Sequence, residues 1–152
     1  MKLAEALMIR GQMQTKLASL RQRLANNAVV QEGESPHEDP QALLAEAVGL
    51  LRERSSLVAR IHEANRAAAL PDGRSMTEAL ALRDELSARH AMVREAIGAT
   101  NKEVDRYSMR EIKWIPTIDI AAMQKQADDL ASRARVLNAS IQQANWQVDL
   151  PD

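Results

Sequence analysis

Between Ile120 and Val148 the apolar residues fall at alternating steps of three and four: Ile120, Met123, Ala127, Leu130, Ala134, Leu137, Ile141, Ala144 and Val148. That spacing returns a side chain to one face of an α-helix at every turn, whereas in a strand it would scatter the same residues over both faces. Held for about four heptads, it predicts one long coiled-coil-like helix. Three other segments carry the same signature. The first runs through Leu3, Ala6, Leu7, Met13, Leu17, Leu20 and Leu24, with Lys2, Lys16, Arg21 and Arg23 facing away, and predicts a helix from Leu3 to about Asn26. The second is Leu43, Ala47, Leu50, Leu57, Ile61, Ala64 and Ala68, with Arg54 in the missing step and a flanking row of Leu44, Leu51 and Val58 that should widen the buried face. The third, Met76, Ala79, Arg83, Leu86, His90, Val93, Ile97, Thr100 and Val104, is interrupted by polar groups, and Asn101 and Asp105 should fray it before Tyr107.

The punctuation between these stripes agrees with them. The stretch from Gln31 to Pro40 has no apolar period and contains Gly33, Ser35 and Pro36, so it reads as a long loop. Asp39-Pro40 ends it as N-cap and first helical residue. Pro71-Asp72-Gly73 is a turn, and Ser75-Met76-Thr77-Glu78 is a capping box that starts the third helix. Ser108 to Thr117 alternates polar with apolar before Pro116 stops it, which predicts an extended connector or a very short strand, with Thr117 or Asp119 capping the fourth helix.

A chain of 152 residues with no Phe, one Tyr and two Trp must build its core from aliphatic side chains, whose small volumes let helices approach closely. The expected architecture is a single all-α domain over residues 1–152: an up-down-up-down four-helix bundle of long antiparallel helices, with a long loop between the first two and an extended connector between the last two. Polar residues on the seams, Arg54, Arg83 and His90, should fix register, the arginines by pairing with carboxylates such as Asp84 or Glu85.

That topology would bring the two connectors to one end. The first supplies Glu32, Glu34, His37, Glu38 and Asp39; the second supplies Arg106, Tyr107, Arg110, Glu111, Lys113 and Trp114. Two readings follow. The segments pair and seal the open end of the core with Trp114 as an apolar plug, or they form a small-ligand site for which Arg106, Tyr107, Arg110, Glu111, Lys113, Trp114, Glu32 and His37 are the candidate binding residues.

Several chemistries are excluded or unsupported. With no Cys there is no disulfide, thiolate metal site or thiol nucleophile. Glu34-Ser35-Pro36-His37 has the spacing of a di-iron ligand pair, but it lies in a loop, contains Pro and has no second copy. His62 and His90 lack partners one turn away, so no metal or other cofactor is expected. There is no Gly-x-Ser-x-Gly elbow and no glycine-rich phosphate loop, and the chain offers no catalytic motif. A formal charge of −1 gives no field to attract nucleic acid, and no stretch approaches the roughly 20 apolar residues of a membrane span. A cytoplasmic location and a homo-oligomeric partner are expected, the latter from the heptad stripe and the second apolar row.

Gln31-Glu32-Gly33, the turn Leu70-Pro71-Asp72-Gly73 followed by Ser75-Met76-Thr77-Glu78-Ala79-Leu80, Arg106-Tyr107-Ser108 with Glu111-Ile112-Lys113, and Ile141-Gln142 with Asn145-Trp146 together resemble a family of small helical bacterial proteins, some of which carry the name septicolysin. The resemblance spans essentially the whole chain, and the Arg106-Tyr107-Ser108 connector is its most specific part. Its name implies a cytolysin, and hence a membrane-active alternative to the interaction protein.

Overall fold

A computed structural model describes residues 1–101 and 113–151. The chain forms four long helices, α1 (Leu3–Asn27), α2 (Pro40–Ala67), α3 (Met76–Gly98) and α4 (Ile120–Gln147). The expected all-α, four-helix architecture is the one observed, and no strand occurs among the described residues. The chain divides into two compact units, Met1–Ala69 with Gln142–Asp152, and Leu70–Ile141.

In the first unit α1 and α2 form an antiparallel hairpin. Arg23 meets Glu38 at the loop end, Lys16 Nζ lies 2.8 Å from Glu46 midway, and Leu3 and Ala6 pack with Leu57, Ile61 and Ala64 at the far end. Asp39 accepts a hydrogen bond from the Gln41 amide at 3.0 Å, and Pro40 occupies the first helical position, where its missing N–H costs nothing. The end of α4 and the residues after it complete this unit. The Leu3 amide donates to the Val148 carbonyl at 2.9 Å, the Leu150 amide donates to the Met1 carbonyl at 2.8 Å, and Leu150 joins the Leu3–Ile61 core. Arg60 Nε reaches the Pro151 carbonyl at 2.7 Å, and Lys2 Nζ binds Asp149 at 2.8 Å.

In the second unit Pro71 and Asp72 form the corner of a turn closed by the Gly73 amide on the Leu70 carbonyl, and Gly73 sits at φ +87°, where a Cβ would be strained. The capping box is complete: Glu78 N–H donates to Ser75 Oγ at 3.2 Å, and the Ser75 amide donates to Glu78 Oε2 at 2.9 Å. At the start of α4 it is Asp119, rather than Thr117, that caps, its Oδ1 accepting from the Ala122 amide at 2.9 Å. Met76, Ala79 and Leu86 of α3 and Ala127, Leu130, Leu137 and Ile141 of α4 are buried, as their stripes require.

Four expectations are corrected. α3 ends at Gly98, not near Val104: the Thr100 hydroxyl donates to the Ile97 carbonyl at 2.6 Å, and Asn101 N–H turns to the Gly98 carbonyl instead of continuing the helical ladder. Leu44 and Leu51 of the flanking row on α2 do not widen the buried face, being 45% and 48% exposed, while Val58 of that row is half-buried. Arg23 does not face away but grips Glu38. Arg83 pairs with Asp84 as expected, through Nε and Nη2 to Oδ1 at 3.0 and 2.8 Å, but Arg54 finds no carboxylate among the described residues and keeps a buried, unpartnered Nε.

Candidate functional site

The loop between α1 and α2 is built from the helix end outward. Asn27, the last residue of α1, is buried and divides its amide between two jobs: Nδ2 donates to the Arg23 carbonyl at 2.9 Å, and Oδ1 accepts from the Glu38 amide at 3.0 Å. The side chain thus ties back to a carbonyl of the last helical turn and fixes where the loop returns. One turn earlier Arg23 forks onto both oxygens of Glu38, with Nε to Oε2 at 2.9 Å. The guanidinium's hydrogen bond holds the Glu38 carboxyl below the usual carboxylate range, and the same bond raises Arg23 above its ordinary value. Glu46 is lowered likewise by Lys16. Between these anchors the Glu34 amide closes a turn onto the Gln31 carbonyl at 3.0 Å, and Gly33 adopts φ +89°, the value that the third position of a type II turn demands.

The loop borders a shallow, open hollow of about 380 Å³. Val29, Val30 and Pro36 give it apolar walls, while Asn26, Glu34 and His37 supply polar groups. His37, an expected site residue, therefore lines a pocket; Glu32 lies exposed in the same loop but outside its lining. Glu38 and Asp39 are engaged within the hairpin, one by Arg23 and the other as helix cap. No hydrogen bond joins Ser35 to His37, and no cluster of three His, Asp or Glu could hold a metal ion, among the described residues. Among the described residues the hollow holds no assembled nucleophile.

Of the other half of the expected site only Lys113 and Trp114 are described. Arg106, Tyr107, Arg110 and Glu111 lie outside the described residues. Lys113 and Trp114 lie in the irregular segment leading to α4, and both are exposed. Trp114 is 69% exposed and neighbouring Ile115 79%. No strand forms over residues 113–117. Sequence reasoning missed Asn27 and Arg23. Their signal was a second Asn beside Asn26 at a helix end and an arginine four residues before it, a spacing that puts both on one face.

A model of a family of unknown function, DUF6847, matches residues 10–150. The crystal structure of a functionally unknown conserved protein from Corynebacterium diphtheriae is similar at 36% identity, with a TM-score of 0.90 over 99% of each chain. No curated protein matches the chain. No described helix is long and apolar enough to cross a membrane.

Proposed function

We propose that this chain, which belongs to the DUF6847 family of unknown function, is a cytoplasmic helical interaction protein that associates with a second copy of itself through α2. The observation that carries this reading is the exposed row Leu44, Val48 and Leu51, which are 45%, 38% and 48% exposed at spacings of four and three. Residues so placed form one stripe beside the buried seam. Gln41, Ala45, Ser55 and Ala59 extend that face and add no charge; Arg52 is the one charged residue within it between Gln41 and Ala59. An apolar helical face in water is relieved by a partner of the same kind. A two-fold contact suits it: an antiparallel copy centred between Ala47 and Val48 would set Leu44 against Leu51, Leu51 against Leu44, and Val48 against Ala47.

Light scattering after size exclusion at tens of micromolar should return a dimer, and Leu44→Glu with Leu51→Glu should return a folded monomer. A wild-type protein that is strictly monomeric in this range overturns the proposal. The septicolysin resemblance is the second reading, favoured by the exposed Trp114–Ile115 pair beside Lys113, a combination suited to a membrane interface. Release of dye from liposomes by the purified protein would put it first.

A further inference from the structure

We infer that the cleft between α3 and α4 is a binding site for an amphipathic anion: an aliphatic chain ending in a carboxylate or phosphate. This goes beyond self-association through α2 and uses none of the same residues.

The cleft lies wholly within the Leu70–Ile141 unit and has a volume of about 300 Å³, the lower end of the range for small-molecule sites. Its floor is apolar. Leu86 and Leu137, 2% and 7% exposed, belong to the packed stripes of the two helices, and Leu82 rises beside them. Val136 forms one lip and is 68% exposed, an aliphatic side chain turned to water on a helix whose apolar seam lies elsewhere. An aliphatic chain laid in this cleft would cover that surface and rest on the leucines.

The rim selects the charge of the ligand. Arg74 and Arg133 both line the cleft, and Asp72 is its one acidic residue. Asp72 is already neutralised: Oδ2 binds Arg74 Nε at 2.9 Å, and Oδ1 accepts from the Arg74 amide at 3.1 Å. Arg133 makes no ion pair among the described residues, and with Asp72 held by Arg74 the charges lining the cleft sum to one positive. A guanidinium presents a planar fork that matches both oxygens of a carboxylate or two of a phosphate. Ser132 stands on the same α4 wall as a further hydroxyl donor, while the Ser140 hydroxyl donates to the Val136 carbonyl at 3.3 Å. A cationic ligand would meet Arg133, and a bare inorganic anion would leave the leucine floor unused.

The test uses the full chain, with methyl NMR signals of Leu82, Leu86, Val136 and Leu137 followed as sodium octanoate, octyl phosphate, octanol or inorganic phosphate is added. Octanoate and octyl phosphate should shift these signals saturably below their micelle concentrations. Arg133→Gln should weaken that binding by about ten- to a hundredfold, the loss expected for one charge-assisted hydrogen-bonded pair. Val136→Glu, which sets a carboxylate on the lip, should abolish it. Both residues are exposed, so both variants should melt as the wild type does. Octanol binding as tightly as octanoate, inorganic phosphate sufficing alone, an unchanged affinity in Arg133→Gln, or no saturable shift would each overturn the assignment. The Leu44→Glu, Leu51→Glu monomer should bind octanoate as the wild type does, which keeps the two proposals separable.

Discussion

Replacing Ile61 and Leu51 by alanine, one at a time, tests the packing of α2 where two apolar rows run side by side. Ile61 is 2% exposed in the cluster with Leu3, Ala6, Leu57, Ala64 and Leu150. Its truncation removes roughly three carbon atoms at about 0.8 kcal/mol each, near 2.4 kcal/mol, and the cavity left between α1, α2 and Leu150 brings the total to about 3–4 kcal/mol. Leu51 is 48% exposed, so truncation forfeits about half the transfer energy and opens no enclosed cavity, a cost of about 1 kcal/mol. At about 2–4 °C per kcal/mol for a chain of this size, the melting temperature should fall by about 6–16 °C for Ile61→Ala and about 2–4 °C for Leu51→Ala. Circular-dichroism melts and urea titrations at low micromolar concentration would measure both. Equal losses for the two variants would refute the assignment of one row to the core and the other to the surface. A Leu51→Ala loss that grows with protein concentration would instead follow from linkage to dimer formation.

Acid should destabilise the protein through four partnered carboxylates. Glu38 is lowered by its hydrogen bond from Arg23, Glu46 by Lys16, Glu78 by the Ser75 amide and hydroxyl, and Asp149 by Lys2. Each has a folded-state value below its unfolded one, so the unfolded chain takes up protons first. Their contribution is whole above about pH 5 and is lost as pH falls through the ordinary carboxylate values of about 4 and then below them. Melting temperature against pH should drop on the acid side, and Glu38→Gln should flatten that drop; a curve unchanged by the variant sinks the argument. Ser75→Ala breaks the capping box of α3 and should cost about 1 kcal/mol, with Ser75→Asp recovering most of it; an unchanged urea midpoint in the alanine variant would contradict the role.

Much of the fold was legible because it rests on local chemistry. Asp39-Pro40, Ser75 with Glu78 and Asp119 act within one helical turn, so residue type and spacing suffice to place the starts of α2, α3 and α4. Gly33 and Gly73 mark turns for the same reason. The site was less legible. His37 lines a pocket as its loop position suggested, yet the residues that hold the loop are Asn27 and Arg23, whose roles depend on Glu38 returning beside them from eleven and fifteen positions away. Trp114 allowed two readings, plug or binding residue, because nothing local dictates burial for a tryptophan in an irregular segment.

What the sequence determined by itself was therefore the set of helices, most of their ends and the stripe each buries, because helical period and capping are properties of neighbours in the chain. Only tertiary structure decided between rows of equal hydrophobicity. Leu50 and Leu51 are adjacent and alike; the first is half-buried and the second is exposed, because a helix of finite width packed on one side buries one sector and leaves the next exposed. That choice also produced the features that carry the functional proposals. Leu44, Val48 and Leu51 form a free apolar stripe, and Arg133 and Val136 stand at the edge of a cleft floored by leucines from α3 and α4, helices far apart in the chain.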